Sequence, residues 1–179
     1  MTYRVCFYAE QAFLSQAKAM LEKGQSSEEV EVSAMCVLAC ASAIEALSNS
    51  LLSKVIMFRH FDELRIASKV EHIRLHGGQE PSWGEEPWGS VLRLIKLRNW
   101  LAHYKDHDNG LVNSEFVALK EPGKARPTFD CYEDLTLKRA RQFYDHSRAA
   151  MLTLVQCSGA NEGEFDYLRT EQYVPVLIG

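Results

Sequence analysis

A stretch from about residue 28 to residue 57 reads as one long helix, and it constrains the fold more than anything else in the chain. Val37, Leu38, Ala41, Ile44, Leu51, Leu52 and Val55 fall along one stripe at helical spacing. An apolar stripe of that length is stable only when other elements cover it, so the remaining helices must pack around it. Just ahead of it, Ser26, Ser27, Glu28 and Glu29 form the Ser-x-x-Glu pattern of a capping box.

Four further segments show helical periodicity. Residues 2–23 carry Val5, Tyr8, Ala9, Ala12, Phe13, Ala19 and Met20 near 3.6-residue spacing, and Gly24 stops the run. Residues 61–75 form a third helix closed by Gly77 and Gly78, and residues 90–104 a fourth that dissolves in the polar run DHDNG. Residues 135–157 place Leu137, Ala140, Tyr144, Met151, Leu154 and Val155 largely on one side and end at Ser158 and Gly159. Between the third and fourth helices, QEPSWGEEPWG is a loop, with Trp83 and Trp88 expected to pin it to the core. EFVALK and RPTFDCY flank the turn-like EPGK, which predicts a small β-hairpin over about 111–132, before the last helix. The tail from 160 to 179 reads as extended. All of this fits a single all-α domain of 179 residues.

Composition narrows the setting. The five cysteines, Cys6, Cys36, Cys40, Cys131 and Cys157, contain no Cys-x-x-Cys pair, and MTYRVCFYAE lacks the apolar core of a signal peptide. A reduced, cytoplasmic protein is expected. The longest apolar stretch, 34–44, falls short of the roughly 20 residues of a membrane span, so no membrane partner is expected. A net charge of -4 and a pI near 5.9 argue against a broadly basic nucleic-acid surface. Yet the run from 93 to 105, RLIKLRNWLAHYK, contains Arg93, Lys96, Arg98 and Lys105, one histidine and no acid. Arg93, Lys96 and Lys105 are therefore candidates for phosphate binding.

The same run holds the residues that look like chemistry. On the fourth helix, Val91, Leu94, Ile95, Leu101 and Ala102 form an apolar arc, and Arg98 falls near its middle. A guanidinium cannot shed its charge, so that position demands a carboxylate, a phosphate or a solvated cleft. Asn99 and His103 are one turn apart, so the amide is able to orient the ring. Glu45 is the matching anomaly of opposite sign on the stripe of the second helix, and it is expected to neutralise or orient Arg98 across a helix–helix contact.

The string LRNWLAH, from Leu97 to His103, resembles the Arg-x4-6-His signature of the HEPN superfamily, including the Asn that often follows the Arg. ASAIEALSNSLL on the second helix, DELRIASKVEHIRL on the third and the Trp-bearing loop before the motif helix follow the layout common in that superfamily; the hairpin and tail do not take part. The resemblance implies an up-and-down bundle of about five helices that pairs with a second copy, joining two motifs in one cleft. It further implies metal-independent RNA cleavage, with His103 as general acid or base, Arg98 holding the phosphate, and Asn99 positioning groups. RNA and a second copy of the chain are the implied partners, with an antitoxin protein as a third if the biological setting is a toxin–antitoxin pair.

Plainer readings stand beside these. Arg98 and Glu45 could be an ion pair that only fixes helix register. His103 could stabilise the negative end of a helix, and Asn99 could be a surface residue. His60, His72, His76, His107 and His146 show no metal-site spacing, and no cofactor is expected. No phosphate-binding glycine loop or serine-hydrolase elbow is present. The alternative function is a non-catalytic HEPN-like module that binds a nucleotide, an RNA end or a protein.

Overall fold

The computed structural model describes residues 4–6, 8–24, 29–102, 134–173 and 176–178. Their order is β1 (Arg4–Cys6), α1 (Ala9–Lys23), α2 (Glu29–Lys54), α3 (Ile66–His76), α4 (Trp88–Ala102), α5 (Leu137–Ser158), α6 (Tyr167–Thr170) and β2 (Val176–Ile178). The described residues are all-α apart from one two-stranded antiparallel ribbon, in which Arg4, Val5 and Cys6 pair with Ile178, Leu177 and Val176. The hairpin expected over 111–132 lies outside the described residues.

Helix α2 is the axis of the molecule. Its stripe is wider than the periodicity suggested: Cys36, Val37, Cys40, Ala41, Ala43, Ile44, Leu47, Leu51 and Leu52 are all buried. Helices α1, α3, α4 and α5 each pack against it. Small residues such as Ser33, Ala39, Ala43 and Ser48 are buried along it, and side chains of that size let neighbouring helices approach closely. By length and hydropathy α2 would also pass for a membrane-crossing helix, but half of its most apolar window is buried inside this bundle. Each fully buried leucine on it, Leu47 for example, contributes roughly 1.5–3 kcal/mol through burial.

The ends of the elements explain several departures from the sequence reading. Helix α1 begins at Ala9, because the residues ahead of it enter the ribbon with β2. Its buried face is Glu10, Gln11, Leu14, Ala17 and Leu21, whereas Ala12 is exposed. Two polar residues at the head of that face hid it from hydrophobic periodicity, and Glu10 accepts a hydrogen bond from the Tyr167 hydroxyl at 3.3 Å. The capping-box residues 26–28 lie outside the described residues, and the Glu29 carboxylate is engaged elsewhere. Its Oε1 accepts from the backbone N–H of Leu137 at 2.9 Å, so it caps α5. Thr136 completes that cap by accepting from Arg139 N at 3.2 Å. At the other end Gly159 takes a left-handed conformation with φ of 73°.

The tail is not simply extended. Residues Glu162–Phe165 form a 3-10 turn and α6 follows it, which lets Phe165, Tyr167 and Leu168 reach the core; the strand is confined to β2. Arg148 on α5 holds this segment by donating to the carbonyls of Leu168, at 3.0 and 2.7 Å, and Arg169, at 3.1 Å. The loop before α4 is pinned as expected. Trp83 Nε1 donates to Glu71 at 2.7 Å, and Trp88 is buried edge-on to Trp83. The Arg74 guanidinium lies 4.2 Å from the Trp88 ring centre, which leaves that face no room to stack on a base.

Candidate functional site

Arg98 lies in the last described turn of α4. Buried side chains on this helix are Trp88, Val91, Leu94, Ile95 and Leu97, and Arg98 follows the same arc. The arc runs off the end of the core there, since Leu101 is half-buried and Ala102 exposed. Arg98 is in consequence a rim residue with a side chain 31% exposed, not a sealed one. The cost of desolvating its charge falls accordingly, and an anion from solvent has a path to it.

Across the contact between α2 and α4, Glu45 Oε2 stands 3.7 Å from Arg98 Nη2. That is an ion-pair distance but too long for a hydrogen bond. Arg98 Nη1 donates instead to Asn99 Oδ1 at 3.1 Å. The other Glu45 oxygen accepts from Lys69 Nζ on α3 at 3.5 Å. Three helices thus meet at one carboxylate, with a nearly sealed ammonium on one side and a rim guanidinium on the other.

The other described cations of the run, Arg93 and Lys96, do not converge on this point. Arg93 lies on the opposite side of α4 and donates through Nε to the buried Asp134 carboxylate, which also pairs with Arg139 at 3.3 Å. Its described role is to fasten the chain just ahead of α5. Lys96 is exposed on that same side of the helix, away from Glu45. His103 and Lys105 lie outside the described residues. The structure therefore brings together Arg98, Asn99 and Glu45, and adds Lys69.

Lys69 was legible. On α3 the residues Ile66, Lys69, Val70 and Ile73 are spaced i, i+3, i+4, i+7, and all four are buried. A lysine on the apolar stripe of a helix is the same signal that singled out Arg98 and Glu45.

A second polar cluster sits at the start of α4. Ser90 Oγ lies 2.7 Å from His146 Nδ1, and Glu86 Oε2 lies 3.1 Å from that same nitrogen. A nucleophile–base–orienter relay needs the hydroxyl and the carboxylate on opposite ring nitrogens. This cluster instead closes the helix start, where Glu86 also accepts from Ser90 N at 3.1 Å. Comparison with known protein families, with curated sequences and with solved structures finds no match to this chain.

Proposed function

We propose that the chain is a metal-independent endoribonuclease of the HEPN type, working as a homodimer whose two Arg98–His103 motifs share one cleft. The observation that carries this reading is the state of Arg98. It is accessible, it is aimed by Asn99 and Glu45, and its nearest carboxylate among the described residues is too far away to consume its hydrogen-bond donors. A guanidinium so held is suited to grip a phosphodiester in two-point fashion.

In the proposed reaction the ribose 2'-oxygen attacks the adjacent phosphorus and the bond to the 5'-oxygen breaks. The products are a 2',3'-cyclic phosphate and a free 5'-hydroxyl. One His103 takes the 2'-hydroxyl proton, and the His103 of the second copy returns a proton to the leaving 5'-oxygen. Arg98 stabilises the charge gathering on the phosphoryl oxygens. With its Oδ1 engaged by Arg98, Asn99 keeps its amide N–H groups to orient the ring one turn on. A toxin with a protein antitoxin, or another defence component, is the setting proposed for such an activity.

The net charge of -4 favours a second reading, a non-catalytic module of the same family that binds a nucleotide, an RNA end or a protein. Incubation of the purified protein with mixed RNA in EDTA separates the two. We expect 2',3'-cyclic ends from the parent, and a loss of about a hundredfold or more in the rate for both Arg98→Ala and His103→Ala. A parent protein that cuts no RNA under any condition excludes the nuclease and leaves the binding module.

A further inference from the structure

Lys69 occupies a position that the bundle alone would give to an apolar side chain. It is 2% exposed and lies among Ile66, Val70 and Ile73 on the inner face of α3. Its ammonium carries three donors, and the one partner it meets among the described residues is Glu45, at 3.5 Å. A charge-assisted bond normally closes to about 2.7–2.9 Å. A buried cation with so distant a partner costs stability relative to a methionine of similar length.

Its effect falls on Arg98. Among the described residues one carboxylate faces two cations, at 3.5 Å on the Lys69 side and 3.7 Å on the Arg98 side, one positive charge more than it can balance. The uncompensated charge emerges at the exposed member of the trio, because Lys69 is sealed and Arg98 is not.

We propose that Lys69 is a positioning residue for the Arg98 site: it holds Glu45 back, so that the carboxylate aims the guanidinium without neutralising it. The proposal rests on the nuclease reading for its catalytic consequence and names the group that regulates the charge of that site. Lacking Lys69, Glu45 closes on Arg98 and occupies the donors that a phosphodiester requires. Lys69 acts only through Glu45 and never touches RNA.

The test is a cycle of Lys69→Met, Glu45→Gln and the double variant in the full chain. RNA cleavage supplies one readout and side-chain NMR of the Arg98 guanidinium the other. We expect Lys69→Met to lower kcat by about a hundredfold, as loss of one charge-stabilising donor does. KM should move by less than about threefold, and the double variant should regain at least about tenfold over Lys69→Met, keeping only the loss that Glu45→Gln shows by itself. A lysine that merely packs α3 would leave the double variant as impaired as the single one. Full activity in Lys69→Met, or no recovery in the double variant, overturns the proposal.

Should Lys69→Met fail to fold, the parent and Glu45→Gln still decide. The Arg98 guanidinium signal should be alike in both, whereas a signal locked in the parent that Glu45→Gln releases would show Glu45 already closed on Arg98 and refute the idea. The NMR arm needs no catalysis. A parent that cuts no RNA therefore sinks the nuclease reading while the Arg98 signal still rules on Lys69.

Discussion

Arg98 and Arg148 are two guanidiniums on the same bundle, and they are treated in opposite ways. Arg148 has a side chain only 15% exposed and donates to the carbonyls of Leu168 and Arg169 and to the Glu171 carboxylate. Glu171 in turn meets Lys18 at 3.2 Å and accepts from the Tyr144 hydroxyl at 3.4 Å. Among the described residues Arg98 makes one side-chain bond to its neighbour and faces a carboxylate it does not touch. An arginine most of whose donors end on protein acceptors is a structural clamp; one that keeps most of them is equipped for something that arrives from solvent.

The comparison breaks most readily at Arg148. Arg148→Ala should cost about 3 kcal/mol in urea unfolding, because it leaves the Leu168 and Arg169 carbonyls without their donor and takes from the Glu171 carboxylate one of its partners. Arg148→Lys should recover little of that, since a point charge lacks the planar fork that spans Leu168 and Arg169. A loss below about 0.5 kcal/mol would place Arg148 with ordinary surface residues.

Acid should sharpen the contrast with a smaller effect. Burial pushes the Glu171 carboxyl up, but a hydrogen bond from Lys18 and the charge of Arg148 outweigh it and hold the group below its ordinary 4.5. A carboxyl depressed by folding stabilises the native state fully above its unfolded value and loses that contribution as pH falls through the lower folded one. Hydrogen exchange along α6 should therefore be insensitive to this group from neutrality down to about pH 4.5 and accelerate below it. Glu171→Gln should flatten that acid response, and an unchanged response would remove Glu171 from the clamp.

The smallest effect on stability is expected at Arg98. Arg98→Ala should change unfolding free energy by less than about 1 kcal/mol, as for a rim ion pair without a hydrogen bond. A loss as large as that at Arg148 would show that Arg98 is a second clamp and that the register-fixing reading is correct.

The parts of this architecture that depend on local pattern could be read from sequence, and the parts that depend on distant partners could not. Helices α2 and α5 carry broad apolar faces, and Gly159 marks the end of α5. Glu45 on α2 and Arg98 on α4 stand out as charges on apolar faces, and so, by the same logic, does Lys69 on α3. The start of α1 is not legible in the sequence, because Val5 and Tyr8 suit a helix or a strand equally well, and the deciding partner is β2 at the other end of the described residues. Arg93 looked like a phosphate ligand until Asp134, 41 residues away, claimed it. The turns of the tail depend on Arg148 reaching carbonyls about 20 residues along, a contact that no periodicity encodes.

The cap that Glu29 places on α5 reaches across 108 residues of sequence. Helix ends closed by a neighbouring residue form as soon as the local chain does, whereas this one waits for a large loop to close, and its entropy must be met before the bond gives anything back. During synthesis α1 to α4 emerge first, but the first turn of α5 becomes a finished helix end only after α2 has swung against it, and β1 waits longer still for β2. Contacts between such remote segments slow folding relative to bundles closed by neighbours. The nascent chain thus reaches its final arrangement late.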